Sequence, residues 1–401
     1  MLRIDVAKAK PGMKLALPVQ NPQVPSRTLL KVSYELSTSV IKRLLEQGIR
    51  SIWVRYPSLD FLKEIIDAET VRNQSELVSQ VSGTFESLQA QATAKLPYDT
   101  YTKSLQQLVD HLISHPNSIV FLGDISDATD DLMRHSSSVT YLTLLMGLKL
   151  DGYLVKERKH VAPARAKEVA NLGLGAMLHD VGVTQLPAEV SARYKREADE
   201  SDPGWQEHPA MGFRMVRSDV DPSAATVVLN HHQYFDGSGY SGQDFPTLTG
   251  RNIHVFARIT AVADQFDLLR NPANLPAQPT AWVLNAMVTE PLRARFDPTV
   301  LRALLAVVPP YPPGSVVKLS DGQFAVCIDH NAHDPCRPKV QIIPDPATIA
   351  GGDLPLGPSI DLSEQPETLF VAEHDGKPVS EFNFTLPLDL ASETARSLAW
   401  A

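Results

Sequence analysis

Asn230-His231-His232-Gln233-Tyr234-Phe235-Asp236-Gly237-Ser238-Gly239-Tyr240-Ser241 sets two adjacent histidines, at the end of an apolar helical run through Ala224, Val227, Val228 and Leu229, in front of a glycine-rich turn. Paired imidazoles so placed point to a bound group, and their chemistry favours a metal ion. Other signals lie on neighbouring helical patterns. Ala166, Val169, Ala170, Gly173, Leu174, Met177 and Leu178 describe a closely packing helix that delivers His179-Asp180 just before Gly182. Asp131 and His135, four apart, share one helical face. His208 opens a further helix, and Asp264 lies on the apolar face of another with Ala257, Ala261 and Leu268. Singly, each has an ordinary reading: a buried histidine oriented by a carboxylate, or Asp264 paired with Arg258. Together, the five histidines with Asp180 and Asp264 along consecutive helices indicate one site.

Composition bounds the rest. The chain has 401 residues, 43% hydrophobic and 21% charged, enough apolar material for two or three domains. Lys and Arg total 37 against 46 Asp and Glu, and the net charge of -9 argues against non-specific binding to nucleic acid or an anionic membrane. No segment approaches the roughly 18 apolar residues of a membrane span, and Met1-Leu2-Arg3-Ile4-Asp5 lacks a signal-peptide core, so a cytoplasmic protein is expected. Two cysteines, Cys327 and Cys336, fit a reducing compartment. With His330 and His333 they recur in threes, but across a strand and turn that would not converge four side chains on zinc; a hairpin with free thiols is the expected reading.

Proline and glycine punctuation predicts a multidomain, mainly α chain: a small α+β module over 1–57, a helical connector over 58–123 with dimer-forming potential, an all-α core over 124–310, and a β module with a polar tail over 311–401. Gly173-Leu174-Gly175 reads as helix packing, since neither the preceding strand nor the Lys-Ser/Thr of a phosphate loop is present.

In order and approximate spacing, His135, His179-Asp180, His208, His231-His232 and Asp264 resemble the metal ligands of the HD-GYP family, a branch of the HD-domain phosphohydrolases. The resemblance covers about 124–310 and extends to the flanks, at Pro11-Gly12-Met13 and at Tyr311-Pro312-Pro313-Gly314. It implies an all-helical HD-type core holding two divalent transition metals, Fe or Mn, or three. Asp180 would bridge them, with His135, His179 and Asp264 on one and His208, His231 and His232 on the other, while Asp131 stands where some members carry a ligand for a third. It also implies hydrolysis of cyclic di-GMP to linear pGpG, or on to GMP, with His179 and Asp180 central to catalysis and Gly239, Tyr240 and Arg270 toward substrate. Two ions about 3.5 to 4 Å apart activate water and neutralise charge developing on phosphorus.

The departures fall on the substrate side. Val183 stands where the family has the lysine of His-Asp-Ile-Gly-Lys, and losing one such donor costs on the order of 3 kcal/mol in the transition state. Gln233 replaces a glutamate, Ser241 replaces the proline of Gly-Tyr-Pro, and Arg270-Asn271-Pro272-Ala273-Asn274 replaces a more basic segment. Three functions therefore follow: a cyclic di-GMP phosphodiesterase, a nucleotide sensor or partner-docking protein acting through Gly237–Ser241, and an HD hydrolase of another nucleotide.

Overall fold

The structure, a computed structural model, describes residues 1–21, 24–49, 51–64, 98–114, 131–240, 246–273, 275–346 and 355–388, with a few isolated positions besides. The N-terminal module comprises β1 (Leu2–Asp5), the hairpin of β2 (Val19–Asn21) and β3 (Val24–Leu30), helix α1 (Thr38–Glu46) and β4 (Ser51–Val54), which pairs antiparallel with β1. Ser37 accepts the Val40 N–H at the head of α1, and Gly48, at a φ of 76°, follows its end. Leu2, Val6, Leu15, Leu44 and Trp53 share a core with Val326 and Ile343 from the C-terminal part of the chain. The first and last modules, separate in the sequence reading, thus pack on each other.

Helix α2 (Tyr98–Ser114) turns Leu105, Leu108 and Leu112 into the helical core. Most of the 58–123 connector, including Ile65, Ile66, Leu77, Phe85 and Leu88, lies outside the described residues, and with it the dimer-forming segment. Then follow α3 (Asp131–Lys149), α4 (Ala170–Leu178), α5 (Ala188–Glu197), α6 (His208–Val216), α7 (Pro222–Asn230), α8 (Val255–Arg270), α9 (Thr280–Val288) and α10 (Pro298–Val307). Asp221 and Asp297 cap α7 and α10, each ahead of a proline whose missing N–H costs nothing in a first turn.

Helices α3, α4 and α8 are buried along most of their length. Small residues make this possible for α4. A Cβ on Gly173 would lie 2.7 Å from Leu144 Cδ2, and one on Gly175 would lie 2.7 Å from Val227 Cβ and 2.9 Å from the Ala224 carbonyl. The two glycines let α4 touch α3 on one side and α7 on the other. Two buried hydroxyls on α3 are satisfied locally, Ser137 donating to Met133 O at 2.7 Å and Thr140 to Ser136 O at 2.6 Å. Arg258 is held between Glu157 and Asp297, with Tyr153 O–H donating to Asp297 at 2.6 Å. It is therefore committed away from Asp264.

The C-terminal module is a six-stranded antiparallel sheet of β5 (Val316–Leu319), β6 (Phe324–Asp329), β7 (Lys339–Ile343), β8 (Ser359–Asp361), β9 (Val371–His374) and β10 (Lys377–Pro378), in the order β10-β9-β5-β6-β7-β8. Part of what reads as a polar tail after Glu364 supplies β9 and β10, strands of four and two residues, too short for alternation to register in the sequence. Cys327 on β6 and Cys336 before β7 are buried and free, and burial pushes both thiols up to about 12. No helix among the described residues is long and apolar enough to cross a membrane.

Gly175→Ala is expected to destabilise the protein by about 1–3 kcal/mol through overpacking of α4 on α7. A thermal denaturation midpoint unchanged from wild type would show that the two helices can part freely. Both thiols are expected to resist a disulfide reagent at pH 8 in the folded protein and to react after unfolding; fast labelling of the native chain would contradict their burial.

Candidate metal centre

The donors come from helix ends, where backbone carbonyls can orient them, and from two helix interiors. His135 lies in the second turn of α3, His179 directly follows α4, and Asp180 leads into the tight turn Val181–Gln185. His208 is the first residue of α6, His231 and His232 follow α7, and Asp264 lies within α8. None of the seven is more than 8% exposed.

Two groups of donor atoms form, each within 4.8 Å: His135, His179 and Asp180 in one, and Asp180, His208, His231 and His232 in the other. Asp180 belongs to both. Its Oδ2 lies 3.7 Å from His135 Nε2 and 3.5 Å from His179 Nε2; its Oδ1 lies 3.3 Å from His208 Nε2 and 3.5 Å from His231 Nε2. Asp264 flanks the first group, with Oδ1 at 3.0 Å from His135 Nε2 and 3.9 Å from His179 Nε2, and its Oδ2 is 3.9 Å from His232 Nδ1.

Hydrogen bonds behind the rings fix which nitrogen faces inward. His179 Nδ1 donates to Ala176 O at 2.7 Å, His208 Nδ1 to Trp205 O at 2.8 Å and His231 Nδ1 to Val228 O at 2.9 Å. Each acceptor is a carbonyl three residues back, at the end of a helical turn, where an oxygen has lone-pair capacity to spare. Because a carbonyl only accepts, the proton sits on Nδ1 and the Nε2 lone pair points into the site. Two such lone pairs face each other where His208 Nε2 and His231 Nε2 approach to 3.2 Å. Neutral imidazoles so arranged repel unless a cation lies between them. His232 Nδ1 is also buried without a hydrogen-bond partner. The residues present therefore fit divalent metal ions, and the mixture of imidazole and carboxylate favours a transition metal over magnesium.

The electrostatics agree. Burial, reinforced by His231 and His135 against the pull of Asp180, lowers His179 to about 4; burial beside His231 and His208 holds His232 well below its ordinary value. Burial alone would raise Asp180, but His179, His208 and His231 hold it well below the carboxylate range. These donors need release no proton to bind a metal near neutral pH. His135 behaves oppositely: burial would lower it, yet hydrogen bonds to Asp264 and Asp267 raise it well above normal.

Asp267 is the orienting residue that the sequence reading missed. It is 2% exposed and its Oδ2 accepts from His135 Nδ1 at 2.8 Å. The available signal was its position three residues after Asp264, on the same face of α8. Glu200 was also missed. Burial and the like charge of Asp264, opposed by Arg295, push its carboxyl up to about 7, and no periodicity marks it. An aromatic wall completes the surroundings: Tyr194 stacks on Trp205 with centroids 3.5 Å apart, and Tyr240 stacks on His232 at 4.2 Å.

Other residues singled out from the sequence are placed as follows. Asp131 is 87% exposed at its side chain and pairs with Arg134 at 3.7 Å, outside both donor groups. Val183 packs with Leu186, Val190 and Trp205, in an apolar cluster that also takes in Tyr240. A Cβ on Gly239 would lie 2.4 Å from His232 O, and Tyr240 N–H donates to that same oxygen at 3.0 Å. Gln233 clamps the loop by donating to Tyr240 O at 2.7 Å and accepting from Leu248 N–H at 2.9 Å, a double role that an ionised glutamate could not fill. Ser241 lies outside the described residues. Arg270 is surrounded by Arg3, Asp267, Asp375 and Arg134 and belongs to neither donor group.

A helical core with a carboxylate shared between two histidine groups is the arrangement of an HD-type metal centre. The family model described as "HD domain" matches residues 153–300. The chain is similar to the cyclic di-GMP phosphodiesterase PA4108 of Pseudomonas aeruginosa, at 26% identity over 336 residues that cover 76% of each protein. It is also similar to the cyclic di-GMP phosphodiesterase response regulator RpfG of Xanthomonas campestris, at 32% identity over 147 residues, 35% of this chain and 36% of that one. Among solved structures, Bd1817, a HDG"Y"P protein from Bdellovibrio bacteriovorus, aligns over 76% of this chain and 97% of its own at 15% identity, with a TM-score of 0.44, too loose a likeness to bear weight. This chain carries an HD domain over residues 153–300 and is similar to proteins named cyclic di-GMP phosphodiesterases.

Asp267→Asn is expected to weaken metal binding roughly 10- to 100-fold by loosening His135, read by competition with a chromophoric chelator, while Asp131→Asn leaves affinity unchanged. Equal losses in the two variants would reverse the roles given to Asp267 and Asp131.

Proposed function

We propose that this protein is a metal-dependent phosphodiesterase that hydrolyses cyclic di-GMP to linear pGpG. The observation that carries the proposal is the division of Asp180 between two histidine groups, the donor arrangement suited to a pair of ions acting on one phosphodiester. His135, His179, Asp180 and Asp264 would hold one ion, and Asp180, His208, His231 and His232 the other, with Fe or Mn suited to these ligands. Divalent ions bound there supply Lewis acidity toward a phosphoryl oxygen and lower the pKa of water. PA4108 and RpfG, both named cyclic di-GMP phosphodiesterases, support the substrate.

The chain's own residues prepare the site. Carbonyls of Ala176, Trp205 and Val228 hold three imidazoles in one tautomer, so each presents a lone pair without rearrangement. Tyr240, held against His232 by the Gln233 clamp, offers an aromatic face beside the donors, suited to a purine ring. Arg295 lies with its guanidinium 4.9 Å over Tyr234, and its charge acts on Glu200.

A second reading, a nucleotide sensor or partner-docking protein with little turnover, rests on Val183. Its side chain lies in an apolar cluster, so no cationic donor reaches the phosphate from that position.

Protein purified anaerobically and loaded with Fe or Mn is expected to convert cyclic di-GMP to pGpG, identified by mass spectrometry, and His179→Ala/Asp180→Ala to abolish the conversion. Full metal occupancy without turnover would overturn the phosphodiesterase; binding of the nucleotide would then support the sensor, and turnover of another nucleotide a changed substrate.

A further inference from the structure

Asn271 follows α8 directly, with Pro272 behind it. A proline disfavours helical geometry in the residue before it, and Asn271 leaves the helix at a φ of -127° and a ψ of 62°. It still reaches back one turn. Its N–H donates to Asp267 O at 2.8 Å, and its side-chain Nδ2 donates to Asp267 Oδ1 at 2.9 Å. Because a carboxylate only accepts, the amide nitrogen rather than its oxygen faces Asp267. The other oxygen of that buried carboxylate, Oδ2, accepts from His135 Nδ1 at 2.8 Å and lies 3.9 Å from the Arg134 guanidinium.

His135 is thereby set apart from the other donors. The rings of His179, His208 and His231 are each backed by a carbonyl three residues earlier in the same segment, fixed once that segment folds. His135 lies inside α3 and is backed by a side chain from α8, whose own torsions must be held before it can hold anything else. A carboxylate gripped through one oxygen can still turn about its last bond; gripped through both, it turns only by breaking a charge-assisted hydrogen bond. Asn271 supplies the second grip.

We propose that Asn271 is a positioning residue of the metal centre: by engaging Asp267 Oδ1 it fixes the carboxylate whose Oδ2 orients His135, and so keeps His135 Nε2 aimed at the donor group it shares with His179 and Asp180. Asn271 belongs to the stretch that replaces a more basic one, and there it serves a metal ligand rather than a phosphate. The inference rests on the metal centre and not on the substrate proposed for it.

The test is the affinity of the full-length protein for Mn(II), read by competition with a chromophoric chelator. Asn271→Leu, close in size but without a donor, is expected to weaken binding about three- to tenfold, less than Asp267→Ala does, and to add nothing further once Asp267 is alanine. A contribution from packing alone would persist in that background. If Asn271→Leu or Asp267→Ala fails to fold by circular dichroism, Asn271→Asp and Asp267→Asn replace them. Asn271→Asp keeps the shape and sets a like charge against Asp267, so it is expected to weaken binding at least as much, and the loss is expected to vanish when Asp267→Asn removes the opposing charge. Wild-type protein that binds Mn(II) while the Asn271 variants match it, or losses that simply add to those of the Asp267 variants, would overturn the role of Asn271 and leave the metal centre standing. Wild-type protein that binds no Mn(II) would overturn both.

Discussion

Asp180 is buried with one oxygen toward His135 and His179 and the other toward His208 and His231. A carboxylate in that position is costly in an apolar core unless positive charge surrounds it, and the imidazoles of His179, His208 and His231 turn lone pairs rather than protons toward it. Negative charge, convergent lone pairs and an unpartnered His232 Nδ1 leave a cluster that metal ions complete. The placing of α4, α6 and α7 follows from that requirement. Each delivers its histidine from an end, where a carbonyl three residues back holds the ring.

The cluster of donors was legible in the sequence because it is made of rare residue types, most of them at helix ends. His179-Asp180 and His231-His232 stand out from any background pattern, and Gly173 and Gly175 announce the tight packing that brings their helices together. Asp267 was not legible, since an aspartate three residues after a ligand looks like any solvent-facing carboxylate until the fold turns it toward His135. Glu200 gave no signal at all; the like charge of Asp264 acts on it only through the course of the segment after α5. The β9–β10 hairpin was hidden by its shortness, and the shared core of the first and last modules was hidden because contacts between residues three hundred apart leave no periodicity behind.

The substitutions on the substrate side look different once placed. Gln233 strengthens the glycine-rich loop, because its amide can bond to a carbonyl and an N–H together. Val183 sits comfortably among Leu186, Val190 and Trp205, so its apolar surroundings are matched to it. The chain has therefore adjusted locally to its own departures, and a reduced electrostatic pull on the phosphate is compatible with an intact, well-packed metal centre.

Gly182 and Gly239 show where such drift must stop. A Cβ on Gly182 would fall 2.0 Å from His208 O, and one on Gly239 would fall 2.4 Å from His232 O. In each case the backbone carbonyl of a ligand histidine occupies the space a side chain needs. The letters of the two signature motifs thus record different kinds of necessity. The lysine and proline positions answer to whatever binds and can change when the occupant or the rate required of it changes, whereas the glycines answer to the placement of the histidines themselves. A lineage could exchange substrates by the first route without losing its metals; by the second it would lose the metals first.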